Sequence, residues 1–184
     1  MNKMSSEGER ALEPVQEWLQ KDMDKYKISD PISELGLVVV RFQDLEHAFI
    51  EILESLLSNE DKDFAQIVAT ELSFSKLIKT VDSLLRLKVA DQSIVNKYNH
   101  IAKEAEQLEQ ERNKYIHSYY EYSEWSSDRI TYTREKRHNK KGLKKNWESL
   151  RDSACFIELS KRMVDLFCSA LDLLQEIEQA HRGK

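Results

Sequence analysis

Apolar residues recur at steps of three and four over most of the chain, and that spacing predicts helices. Val15, Trp18, Leu19, Met23 and Tyr26 mark the first, with Pro14 near its start. Asp30-Pro31 restarts the chain, with Asp30 placed to cap a helix over about 32–57. Its wide apolar face carries Leu35, Val38, Val39, Phe42, Leu45, Phe49, Ile52, Leu53 and Leu56. After a polar break at 58–63, Phe64, Ile67, Val68 and Leu72 predict a short helix. Phe74, Leu77, Ile78, Val81, Leu84 and Leu85 predict the next, with Ser73 as its cap. A longer helix opens near Asp91 and runs to about 118. Its stripe of Ile94, Tyr98, Ile101, Ala105 and Leu108 alternates steps of four and three.

The period breaks at Ser118. Tyr119, Tyr120, Tyr122, Trp125, Ile130, Tyr132 and Thr133 are β-formers around the turn signal Ser126-Ser127-Asp128, and they predict a two-stranded hairpin. A basic stretch follows. The last long helix is expected from near Asn146, turning Leu150, Phe156, Leu159, Met163, Leu166, Phe167, Ala170, Leu173, Leu174 and Ile177 inward. The expected fold class is all-α: a bundle of about five to six helices with a small β-hairpin insertion before the last. A flexible N-terminus is expected over 1–12 and a single helical domain over 13–180. The hairpin and basic arm fall at about 118–145.

Composition narrows the function classes. The 184 residues include four glycines and two prolines, so the punctuation that a many-stranded fold requires is scarce. GxGxxG and GxxxxGK[ST] are both absent, which removes Rossmann and P-loop nucleotide binding. A 40% apolar content is too high for a disordered chain. No apolar run approaches the roughly 18 residues of a membrane helix, and the N-terminus lacks the apolar stretch of a signal peptide. A cytoplasmic protein without a membrane partner is expected. Cys155 and Cys168 lie about 20 Å apart along one predicted helix, too far for a disulfide, and both are expected as buried, inert thiols. His100 and Glu104 lack a third ligand, and HExxH and a Ser-His-Asp context are missing. No metal and no cofactor are expected.

Charge is nearly balanced overall, at −5. It is not balanced locally. Between 129 and 145 the acid Glu135 faces eight basic residues, among them Arg134, Lys136, Arg137, Lys140, Lys141, Lys144 and Lys145. Such a cluster can hold a phosphate backbone, with Tyr119, Tyr120 or Tyr122 stacking on bases. A solvated turn with packed tyrosines is the plain structural alternative.

The sharpest candidate chemistry lies near the end of the long helix. Continued past Leu108, the stripe arrives at Arg112 and then Tyr115, so an arginine stands where an apolar residue is expected. Asn113 follows, and His117 lies one turn above it on the same face. Arg112 and His117 are about 140° apart around the helix, within reach of a long arginine. In the plain alternative Glu109 pairs with Arg112 and His117 only occupies the helix end, where the dipole favours a cation.

The run Glu111-Arg112-Asn113-Lys114-Tyr115-Ile116-His117-Ser118 resembles the signature of the HEPN superfamily, the higher-eukaryote and prokaryote nucleotide-binding domains. In that signature four to six residues separate an Arg, commonly followed by a polar residue, from a His, and here the gap between Arg112 and His117 is four. An upstream apolar helix with Leu45-Glu46 and the segment Leu72-Ser73-Phe74-Ser75-Lys76-Leu77-Ile78 resemble the family's order. The likeness spans about 32–180 and leaves the hairpin with its basic arm unexplained. It implies a helical bundle, usually dimeric. It also implies a metal-independent endoribonuclease of toxin–antitoxin or phage-defence type, with RNA and in some systems an antitoxin or other partner protein as its partners. Arg112, Asn113 and His117 would be the catalytic residues. The chemistry suits them. RNA supplies its own 2′-OH nucleophile, a histidine titrating near neutrality can move the proton, and an always-charged arginine can hold the phosphate oxygens. One histidine per chain favours a two-fold dimer that joins two sites. The alternative is a non-catalytic helical module that binds RNA, a nucleotide or a partner protein.

Overall fold

The computed structural model describes residues 31–57, 62–123, 131–138, 144–150 and 154–182. The expected first helix near 14–26 and the N-terminal 1–12 lie outside the described residues. So do the Ser126-Ser127-Asp128 turn and Lys140 and Lys141. The described residues belong to one unit that begins at Pro31.

Among the described residues five helices form: α1 (Pro31–Leu57), α2 (Lys62–Thr70), α3 (Phe74–Lys88), α4 (Gln92–Ile116) and α5 (Ala154–Arg182). α1 is central. It packs most extensively on α5 and also meets α3, α2 and α4, while α5 packs in turn on α4. The expected stripe of α1 is buried at Val38, Phe42, Leu45, Phe49, Ile52, Leu53 and Leu56. Val39 departs from it: with Val40 it lies on the exposed side. α2 also turns differently from its apolar spacing. It directs Ala65 and Ala69 inward and leaves Phe64 and Ile67 in solvent. Small residues let a short helix approach α1 closely, and packing density, not side-chain hydrophobicity, chooses the buried face.

Of the expected caps, Asp30 lies outside the described residues, and Asp91 and Ser73 precede their helices. Asp91 accepts a hydrogen bond from the Ser93 N–H at 2.8 Å, and the Ser93 hydroxyl together with that N–H holds its carboxyl below the usual carboxylate range. Ser73 has the extended N-cap backbone but makes no side-chain cap bond. Its carbonyl instead accepts from the N–H groups of Lys76 and Leu77. Lys88, in the last turn of α3, donates to the Leu56 carbonyl at 2.5 Å and so ties α3 to the C-terminal end of α1.

α4 and α5 run antiparallel. Lys97 meets Glu176 at 2.6 Å toward one end, and the rings of Tyr115 and Phe156 meet edge to face at 5.0 Å toward the other. Between them Arg162 reaches Glu104 at 2.8 Å and Glu111 at 2.9 Å. This register brings 156–162 of α5 beside the last two turns of α4.

The insertion differs from the expected two-stranded hairpin. Three strands form, β1 (Tyr119–Ser123), β2 (Thr131–His138) and β3 (Lys144–Leu150), in an antiparallel sheet of order β1-β2-β3. Ser123 pairs with Thr131 and Tyr119 with Glu135, while His138 pairs with Lys144 and Tyr132 with Leu150. The basic arm is therefore not an open connection to the last helix, because its ends are strand. α5 accordingly starts at Ala154 and not near Asn146, and Leu150 belongs to β3. The reason is backbone satisfaction: β3 pairs the second side of β2, whose N–H and C=O groups would otherwise form an open edge.

Candidate functional site

The stripe of α4 is buried as its spacing predicts, at Ile94, Tyr98, Ile101, Ala105 and Leu108. Arg112 continues it. Its guanidinium carbon lies 3.9 Å from the centroid of the Phe42 ring on α1, well within cation–π range. A planar cation can occupy a core position in this way, because one face rests on an aromatic ring as a side-chain ring would. Phe42 is 2% exposed, and its ring meets Phe74 edge to face at 4.9 Å. The next stripe residue, Tyr115, is partly buried against Phe156.

Arg112 is half-buried, and its Nε is buried without a hydrogen-bond partner. Burial pulls its pKa below the ordinary arginine value, while the carboxylates of Glu109 and Glu46 act in the opposite sense. The guanidinium nonetheless remains a cation. Burial likewise pushes the Glu109 carboxyl up. Arg112 opposes that shift, and Glu46 and Glu106 add to it. The arginine's surroundings are therefore acidic.

His117 ends the helix. It is the C-cap, with φ −90° and ψ 16°, and its N–H donates to the Asn113 carbonyl at 3.2 Å and to that of Tyr115. The Ser118 hydroxyl donates to the Lys114 carbonyl, tightening the same turn. The side chain of His117 is exposed and that of Asn113 half-buried. The turn thus presents an anchored cation, a polar amide and a solvated imidazole in sequence. No family model matches the chain, and neither the curated proteins nor the solved structures provide a match. The site stands on its own geometry.

The remaining candidates are placed as follows. Glu104 is taken up by Arg162 and does not pair with His100 toward a metal. Among the described residues no group of three or more His, Cys, Asp or Glu side chains stands together. His47 is exposed and lies 3.6 Å from Glu51. Cys155 and Cys168 are free and half-buried on α5. No helix among the described residues is long and apolar enough to cross a membrane.

Of the basic residues, Arg134, Lys136 and Arg137 fall on β2, and Lys144 and Lys145 on β3. The register sets Arg137 opposite Lys145 and His138 opposite Lys144. Two consecutive cross-strand positions thus pair basic residues, a juxtaposition that linear sequence does not reveal.

Two buried polar residues carry no clear sequence signal. Ser160 on α5 is 4% exposed, and its Oγ has no partner. Arg41, beside Phe42, is 5% exposed and reaches Asp44 at 3.3 Å. The i,i+3 spacing of Arg41 and Asp44 was the available hint, but it fits a solvated pair equally well. An open groove of about 480 Å³ lined by Leu53, Phe64, Val68 and Leu84 includes none of the site residues.

Proposed function

We propose that the protein is a metal-independent endoribonuclease of HEPN type, acting as a homodimer in a toxin or defence role. The observation that supports it most is the placement of Arg112. A cation anchored on Phe42, with its Nε unpaired, is followed within five residues by Asn113 and an exposed His117 at the helix end. In this reading His117 takes the proton of the RNA 2′-OH, Arg112 holds a phosphate oxygen and its developing charge, and Asn113 orients the phosphate. The second chain supplies the second histidine, which protonates the departing 5′-oxygen. Arg134, Lys136, Arg137, Lys140, Lys141, Lys144 and Lys145 grip the backbone away from the cut.

A second reading rests on a different observation. Glu109 and Glu46 offset the charge of Arg112 inside the chain. An arginine satisfied in this way suits a non-catalytic helical module that binds RNA or a partner protein.

Incubation of purified protein with RNA, with and without chelator, separates the two. The ribonuclease predicts products with a 2′,3′-cyclic phosphate and a 5′-OH, in the presence of EDTA as in its absence. His117→Ala and Arg112→Ala should each lower turnover by about 100-fold or more. A 2′-deoxy substitution at the cut should abolish cleavage while binding persists. Products with a 5′-phosphate, or activity lost to EDTA, would falsify the scheme. Binding without cleavage would select the module.

A further inference from the structure

We propose that Phe42 is the positioning residue for Arg112: its ring face fixes where the guanidinium stands. This rests on the functional reading above for its consequence, though not for its geometry. The ring is unusually well placed for the task. The guanidinium carbon is 3.9 Å from its centroid. The ring is itself held by an unbroken series of edge-to-face contacts. Phe42 meets Phe74 at 4.9 Å, Phe74 meets Phe49 at 5.4 Å, and Phe49 meets Tyr98 at 6.1 Å. The series ends in a directional bond, since the Tyr98 hydroxyl donates to the Ile78 carbonyl at 2.6 Å. Each of these rings is at most 3% exposed.

An arginine side chain has four rotatable torsions, and holding it in one place has a large entropic cost. Hydrogen bonds usually meet that cost, but the Nε of Arg112 is buried without one. The aromatic face is the interaction that remains for the buried part of the group. Because the platform belongs to α1 and the arginine to α4, the packing of these two helices sets the guanidinium's position. Leucine at 42 would keep most of the apolar volume and remove the quadrupole.

The test is a proton–nitrogen spectrum of the arginine side chains of the full chain, with Arg112→Lys to assign the Arg112 Nε–H resonance. In the wild type that resonance should be displaced from the other arginines by the ring current, and it should exchange slowly with water. In Phe42→Leu it should rejoin the others. Ile52→Val, a core truncation on the same helix away from Arg112, should lower the unfolding midpoint and leave the resonance in place. RNA turnover of Phe42→Leu should fall roughly 3- to 30-fold with KM little changed, from the usual strength of a cation–π contact. A wild-type Nε–H resonance without a ring-current displacement would overturn the proposal, and no variant need fold for that result. A resonance unmoved in folded Phe42→Leu would do so as well. A wild type that does not cleave RNA but shows the displaced resonance, reverting in Phe42→Leu, would end the ribonuclease reading and leave the platform standing.

Discussion

A buried hydroxyl without a partner is a liability to the fold, and Ser160 has one. Serine on a helix commonly donates to the carbonyl one turn back, as Ser83 and Ser169 do here, yet Ser160 does not. Replacing an unsatisfied polar group by an apolar one of similar shape is neutral or stabilising. Ser160→Ala should therefore leave stability unchanged or raise it by up to about 1 kcal/mol in urea unfolding. A destabilisation of more than about 1 kcal/mol would mean that the hydroxyl is satisfied after all, by a ligand or a bound water. Glu109 makes a comparable case with charge. Burial raises its folded pKa, so its contribution to stability is full below the unfolded carboxylate value of about 4.3 and is lost as pH rises through the folded value. Glu109→Gln should thus match the wild type near pH 4 and exceed it at pH 7. The gain should be about half a kcal/mol, since solvent screens a partly exposed group. The same substitution leaves Arg112 with one fewer offsetting carboxylate, so RNA affinity should rise at low salt. Equal stability of the two proteins across pH 4–7 would refute the assignment.

Among the elements, α4 and α5 are joined through Arg162, which spans two turns of α4 by bonding Glu104 and Glu111 with separate nitrogens. The pair positions α5 against the helix that carries Arg112 and His117. It is one-third exposed, so its worth is that of a small network and not of a buried ion pair. Arg162→Gln should cost roughly 0.5–1.5 kcal/mol in thermal or urea unfolding, and doubling ionic strength should shrink the difference. A substitution without effect in low salt would leave apolar packing as the whole of the interface. The helices themselves were legible, because period and caps both act within a few residues. Pro31, Asp91 and the stripe from Ile94 to Leu108 fall where local chemistry puts them. The arginine was legible as an oddity on that stripe, but Phe42 as its platform was not. That contact joins residues 70 positions apart, and nothing in either neighbourhood records the crossing of α1 and α4. β3 escaped for a related reason. Lys144–Leu150 has no strand composition of its own and is extended because β2 offers a free side.

Across the whole molecule, charge is divided. Glu109 and Glu46 act on Arg112, with Glu106 in turn acting on Glu109, whereas the sheet gathers basic residues at facing register positions. Like charges directly opposite one another on paired strands repel, and the register sets Arg137 opposite Lys145. A polyanion laid across those positions relieves the repulsion and gains counterion release. In the proposed ribonuclease, an acidic site would recruit a phosphate backbone poorly by itself, so the basic sheet would supply affinity and the α4 end the chemistry. Neutralising Lys140, Lys141, Lys144 and Lys145 together to Gln should therefore weaken RNA binding most at low salt. For single-stranded RNA the salt dependence of log K should flatten by about 0.7 for each phosphate left without its lysine, approaching 3 for all four. Turnover at saturating RNA should change little, because His117 and Arg112 are untouched. The sheet should also become slightly harder to unfold without RNA, as the cation opposite Arg137 is removed at Lys145. Filter binding across a salt series gives the slope, and single-turnover cleavage gives the rate. An unchanged slope would show that the strands face no phosphate. A cleavage rate at saturation that falls as far as that of His117→Ala would place the lysines in the reaction and end the division of labour.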